Sequence, residues 1–440
     1  MNQKLRNEIQ EKIIQIAKSR QYNGVIRASI RLGKTYIGLM CINTNLRTLV
    51  CYPKVTIKQS WLDEIEKHNF YQVQPEYSTF ASLKKLVKSG EKYNRIIVDE
   101  IHKLSANNRK ELKQLISSTG SILGLTGTLR LKSEKALDSI GVPVIAQYDL
   151  EDAITDGLVK DYKLFIHFVK LDNIHKQFYD SLVSKYDYFR DLDDVESMLI
   201  SEGKGDANKQ RQYVLGWKKY RGLITNYIYN SSELTDKAQE LIHQYKDKKT
   251  LIFSLRTNVA DELSLNSYHS KDKNLKALEE FQISEQGHLS TVNMISEGIT
   301  IHHLNNIICH TVTSNTEDFQ QKLGRGLQLG DINGEVCAVH CICLKDTIQE
   351  RWIELCCKSL NQHKIYYIID KDIKALCIDG EIHCSKINYI KAANQDKELY
   401  LYKGSYCYPS SVNTEGYQMY KFLGDSQKEY SISKSKLIKL

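Results

Sequence analysis

The stretch Gly24-Val25-Ile26-Arg27-Ala28-Ser29-Ile30-Arg31-Leu32-Gly33-Lys34-Thr35 decides how the rest of the chain is read. A short apolar run, Val25-Ile26, leads into a loop ending Gly-Lys-Thr, and an apolar segment follows over residues 36–42. Strand, loop and helix in that order make the layout of a phosphate-binding P-loop. In such a loop backbone N–H groups cradle phosphates, Lys34 reaches the β- and γ-phosphates, and the Thr35 hydroxyl ligates Mg²⁺. The match to G-x-x-x-x-G-K-[ST] is incomplete. Ala28 takes the place of the first glycine, and Arg31 stands where many such loops carry a second.

On the N-terminal side, residues 3–18 show helical periodicity, with Leu5, Ile9, Ile13, Ile16 and Ala17 on one stripe. On the C-terminal side, residues 47–53 read as a strand stopped by Pro53, and residues 57–67, containing Trp61, read as a helix. A second helix covers 82–88. The stretch 94–98, apolar over Ile96-Ile97-Val98, then ends in two acids, Asp99-Glu100, followed by Ile101-His102. A helix over 108–116 precedes the strand 121–125 and the triplet Thr126-Gly127-Thr128. Strands alternating with helices at this spacing predict a parallel, doubly wound sheet covered on both faces. Ligands of such sheets bind beyond the carboxyl ends of the strands, where the loop, the acid pair and the Thr-Gly-Thr triplet all fall.

Further out the texture changes twice. Residues 151–240 place Tyr and Leu at helical spacing among charges, and predict a helical linker or insertion. Residues 241–360 return to the α/β pattern, with strands at 249–254, 289–293 and 306–309, a helix at 318–323 and then Gly324-Arg325-Gly326. From 361 to 440 short Tyr-rich alternating stretches predict a small β-rich appendix.

Composition fits this division. A chain of 440 residues with 41% hydrophobic and 26% charged residues reads as globular, with two to three domains. The net charge of +8 permits a polyanionic partner without demanding one. The first residues show no apolar export segment, and no apolar run of about 18 residues exists to cross a membrane. With eleven cysteines and no export signal, reduced thiols in a cytoplasm-like compartment are expected. Cys337, Cys341 and Cys343 fall in a run that reads as a buried strand, and they lack the paired spacing of a zinc site.

Taken in order, these segments resemble the motif series of the superfamily 2 helicases and translocases over about residues 1–350. Ala28 to Thr35 looks like motif I, and Cys51-Tyr52-Pro53-Lys54 like motif Ia. Asp99-Glu100-Ile101-His102 is similar to a DEAH-type motif II, and Thr126-Gly127-Thr128 to motif III. Phe253-Ser254 looks like motif IV, Glu297-Gly298-Ile299 like motif V, and Gln321-Lys322-Leu323-Gly324-Arg325-Gly326-Leu327-Gln328 like motif VI. The wording is closest to phage helicases and the motor subunits of restriction enzymes.

The resemblance implies two RecA-like domains, at 1–150 and 241–360, and an ATP-dependent motor acting on nucleic acid, with DNA favoured. It implies ATP and Mg²⁺, the metal held by Thr35 and Asp99. Lys34, Glu100, His102 and Arg325 would join Asp99 in hydrolysis, Arg325 as an arginine finger. Nucleotide contacts would come from Gln10, from Ala28, Ser29, Ile30, Arg31, Leu32 and Gly33 of the loop, and from Gly298, Gln321 and Gln328. Nucleic acid would meet Pro53, Lys54, Thr126, Thr128 and Ser254. The cytoplasm is the expected location, that of the host if a phage encodes the chain. Gln328 departs from the arginine that ends motif VI, and a neutral amide cannot supply that charge. An RNA helicase and a nucleotide-gated scaffold with slow hydrolysis are the alternatives.

Overall fold

The computed structural model describes residues 2–29, 31–271, 274–292, 301–327 and 336–368, together with short strands between 377 and 439. It divides into two units. The first holds the described parts of Met1–Asp161, Ile295–His303 and Gln320–Glu335, and the second those of Tyr162–Met294, Leu304–Phe319 and Val336–Leu440.

The first unit runs α1 (Asn2–Ser19), β1 (Gly24–Ala28), α2 (Lys34–Met40), β2 (Thr48–Tyr52), α3 (Thr56–Lys67), β3 (Glu76–Thr79) and α4 (Leu83–Lys88). It continues through β4 (Tyr93–Asp99), α5 (Ala106–Leu115), β5 (Ile116–Thr126), α6 (Leu131–Asp138), β6 (Val144–Tyr148) and α7 (Leu150–Thr155). Its six strands pair in parallel in the order β3-β2-β4-β5-β1-β6. Alternation along the strands builds a core on each face. Ile26, Val50 and Ile97 point into one cluster with Ile9, Ile13, Leu39 and Trp61 from α1, α2 and α3. Their neighbours Val25, Leu49, Cys51, Ile96 and Val98 point into the other with Leu83, Leu112 and Leu137 from α4, α5 and α6. This is the doubly wound arrangement that the alternation of elements predicts.

On α1 the stripe is turned from its expected setting. Ile16 is 39% exposed, while Ile14 and Gln10 are buried. At about 100° per residue, Ile9, Ile13, Ala17, Gln10 and Ile14 share one arc and Ile16 lies at its edge. The turn carries Gln10 inward.

The second unit runs β7 (Asp161–Val169), α8 (Asn173–Ser201), α9 (Ala207–Tyr229), α10 (Ser232–Gln244), β8 (Lys249–Ser254), α11 (Thr257–Leu263), β9 (Ser267–Tyr268) and α12 (Leu275–Ile283). After these come β10 (Gly287–Val292), β11 (Asn306–Cys309), α13 (Thr316–Gly326), β12 (Val336–Leu344), α14 (Ile348–Cys357) and β13 (Ile365–Ile368). With β14 (Cys377–Ile378) and β15 (Glu381–Cys384), its strands form one sheet in the order β14-β15-β13-β7-β12-β11-β8-β10-β9. A five-stranded sheet made from residues 400–439 follows, antiparallel throughout.

Strand β7 lies within the stretch read as helical, yet it joins this sheet between β13 and β12. Its even positions Tyr162, Leu164 and Ile166 are buried, the period-two pattern of a strand. Helices α8, α9 and α10 cover the sheet through Leu182, Ile228 and Leu234 against Ile252, Ile308 and Ile342. Cys337, Cys341 and Cys343 are buried, reduced thiols of β12.

Gly124 of β5 lies beside Val98 in the sheet, and a Cβ there would run into Ile101, 3.0 Å from its Cγ2. Gly124→Ala is expected to cost about 1–3 kcal/mol by overpacking, measured by urea unfolding. Ile101→Val in the same chain should recover part of that loss, and additive effects of the two changes would count against the contact.

Candidate nucleotide site

The loop after β1 is held from behind. Ala28 ends the strand buried, and the Ser29 N–H donates to the Tyr148 carbonyl at 2.7 Å. Arg31 adopts φ 71°, a left-handed setting that glycine takes most easily, at the position where such loops often have one. Its carbonyl accepts from Arg6 Nη2 at 2.6 Å. The Leu32 carbonyl accepts from Gln10 Nε2 at 2.7 Å. Gly33, at φ 84°, turns the chain into α2, and a Cβ there would lie 2.6 Å from the Gln10 amide nitrogen. Gln10 is therefore a brace for the loop. Ile30, Gly298 and Gln328 lie outside the described residues.

Lys34 and Thr35 open α2, and the ends of β4 and β5 bring the other groups to them. Lys34 Nζ lies 3.7 Å from Glu100 Oε1. A Cβ at Gly127 would stand 3.0 Å from the same nitrogen, so the glycine leaves room for the ammonium. Asp99 is buried at the end of β4. Its Oδ2 accepts from Trp61 Nε1 at 3.0 Å, and its Oδ1 from the Glu100 N–H at 2.9 Å. Glu100 itself takes φ 51°, an uncommon setting for a non-glycine residue and one that marks functional turns. His102 Nδ1 lies 2.8 Å from Thr126 Oγ1 and 3.3 Å from Glu100 Oε2. The Thr126 hydroxyl donates to the Thr128 carbonyl at 2.6 Å, so it accepts from His102, which places the imidazole proton on Nδ1.

The electrostatics follow from this packing. Burial and the neighbouring Glu100 push the Asp99 carboxyl up to about 6, against the pull of Lys34, Trp61 and the Glu100 N–H. Burial opposes the charge on Glu100 as well, but Lys34, His102 and Lys103 outweigh it and leave that carboxyl below its ordinary value. The Asp99 carboxylate and the Thr35 hydroxyl, one ending β4 and the other in the first turn of α2, are hard oxygen donors of the kind Mg²⁺ takes.

The remaining expected residues lie on other elements. Pro53 and Lys54 follow β2. Gln321 and Arg325 lie on α13, in the part belonging to the first unit. Ser254 ends β8 in the second unit, buried and donating to the Arg256 carbonyl at 3.0 Å. Trp61 and Arg6 join the site without any local mark in the sequence, because each acts across the fold.

Residues 233–330 match the family described as helicase conserved C-terminal domain. The DNA 3'-5' translocase XPB2 of Sulfurisphaera tokodaii is 24% identical over 342 residues, 71% of this chain and 76% of that protein. The chain is similar to the superfamily 2 helicases and translocases, in the matched C-terminal segment and along most of its length. Two solved structures share the helicase fold. One is S. cerevisiae Dbp5 bound to RNA and ADP BeF3, with TM-score 0.50 and 10% identity, covering 80% of this chain and 86% of that one. The other is the ATP-dependent Type ISP restriction-modification enzyme LlaBIII bound to DNA, with TM-score 0.51 and 11% identity, covering 81% of this chain and 30% of that one.

The brace is open to test. Gln10→Ala would leave the Leu32 carbonyl buried without its donor, a loss of about 1–3 kcal/mol in urea unfolding. ATP and GTP should then bind more weakly by the same factor. A loss confined to ATP would assign Gln10 to the adenine base.

Proposed function

We propose that the chain is an ATP-dependent helicase or translocase that acts on DNA. The observation that carries this reading is the convergence of Lys34, Asp99, Glu100 and the His102–Thr126 pair at the strand ends of one sheet. The preference for DNA is supported by the likeness to a protein named as a DNA translocase.

In this reading Lys34 binds the β- and γ-phosphates, and the loop N–H groups orient them. Thr35 and Asp99 would hold Mg²⁺, whose charge would offset that of the phosphate oxygens. Glu100 orients the attacking water and takes its proton. Arg325 stabilises the charge that develops on the transferred phosphoryl group. Gln321, Gln328 and Gly298 add nucleotide contacts. His102 reports the state of the acids to Thr126 and Thr128, which with Pro53, Lys54 and Ser254 grip the phosphate backbone.

The helical hairpin of the second unit supplies a further polyanion surface. Helix α9 carries Lys209, Arg211, Lys218, Lys219 and Arg221, all exposed, and no acidic residue. The acids of the hairpin sit on α8 and in the turn that follows it.

Two measurements test the reading. Glu100→Gln should keep nucleotide binding and lose most nucleic-acid-stimulated ATP hydrolysis; hydrolysis at the parental rate would remove Glu100 from the mechanism. The parent should be assayed with single-stranded, duplex and branched DNA and with RNA, and stimulation by RNA alone would replace the DNA assignment. Absence of hydrolysis with any of them would favour the nucleotide-gated scaffold. For the hairpin, Lys218→Glu with Lys219→Glu should weaken DNA binding and flatten the plot of log affinity against log salt by about 0.9 for each phosphate no longer neutralised. An unchanged slope would take α9 off the DNA.

A further inference from the structure

Trp61 is the largest fully buried side chain among the described residues. It lies on α3, outside every motif quoted above, and it touches two of the elements that build the nucleotide site. Its indole N–H meets Asp99 Oδ2 at 3.0 Å. The far edge of its ring lies against α2, where a Cβ at Gly38 would stand 2.6 Å from Cη2 and 3.3 Å from Cζ3. The ring is thus wedged between the helix that begins with Lys34 and Thr35 and the strand that ends with Asp99.

Chemistry narrows what can fill this position. The indole is large, apolar and donor-only. Phenylalanine or leucine would fill part of the volume but leave a buried carboxylate oxygen without its donor, which is costly in a site closed to water. Tyrosine would bring an oxygen that can also accept. Tryptophan alone combines a packing surface for α2 with a fixed N–H for the acid.

We propose that Trp61 is the positioning residue for the nucleotide-bound cation. Its N–H fixes the plane of the Asp99 carboxylate, and its ring holds α2 at a set distance from β4, so that Thr35 and Asp99 present their oxygens with constant spacing. This rests on the reading of Thr35 and Asp99 as the cation-holding pair.

The test uses the full chain with ADP, and Mn²⁺ as the probe ion, its binding read from the electron paramagnetic resonance of free Mn²⁺. Trp61→Phe removes the N–H, and the benzothiophene analogue of tryptophan at position 61 removes it while keeping the bicyclic shape. The analogue keeps the ring against α2 and should bind ADP in EDTA as the parent does. Both variants should raise the Mn²⁺ dissociation constant about tenfold or more, the scale of one hydrogen bond to a charged group. If Trp61→Phe does not fold, the analogue carries the measurement. Mn²⁺ affinity within twofold of the parent in the analogue overturns the proposal. Asp99→Asn and Thr35→Ala run alongside: if neither weakens Mn²⁺ binding, the cation assignment itself fails; if both do and the analogue does not, only the role of Trp61 fails.

Discussion

Asp99 brings a carboxylate to the end of a strand where little water reaches it, and burial there favours the neutral acid. Holding it charged takes donors and cations from several directions at once. The first unit supplies them from the loop lysine, the indole of α3 and the backbone of Glu100. Each lies on a different element, so the carboxylate is secured only when the sheet and its helices are all in place. The order β3-β2-β4-β5-β1-β6 sets β4 one strand away from β1, with β5 between, and the three strand ends that carry the chemistry are therefore adjacent.

Around that acid the polar groups are shared and not duplicated. Glu100 faces both Lys34 and His102, and His102 is handed on to Thr126. Two contacts thus join the acids to the end of β5. The left-handed backbone of Glu100 belongs to the same economy, since it turns the carboxylate back toward the loop. Behind the loop, Arg6 and Gln10 of α1 hold two successive carbonyls. The Ser29 and Leu32 N–H groups are themselves taken up by the Tyr148 and Ser29 carbonyls.

Much of this was legible in the sequence, and the reasons are local. Short apolar runs such as 96–98 state their own strand, and Gly33-Lys34-Thr35 and Asp99-Glu100 carry chemistry in their residue types. Where the reading differed from the structure, the deciding contact was distant. Ile16 yielded to Ile14 because the buried face of α1 is set by what it packs on, which periodicity alone places only roughly. Strand β7 has a clear period-two pattern but sits among helices, and a partner in β12 far along the chain gives it its place. The bond between Trp61 and Asp99 joins residues 38 apart and has no signature in either segment. The segments read as motifs V and VI were the hardest to place, because Gly298 and Gln328 fall outside the described residues.

The position of β7 also bears on how the chain is made. It is synthesised before the α8–α9 hairpin, yet its neighbours in the sheet, β12 and β13, follow far later. At about 5–20 residues per second, β12 leaves the ribosome roughly ten to thirty seconds after β7. During that interval a nine-residue strand with Tyr162, Leu164 and Ile166 on one face has no sheet to enter. The first sheet has all six strands by Tyr148 and can close meanwhile. Nascent chains paused between these points should therefore hold a finished first sheet and an unpaired β7 open to chaperones.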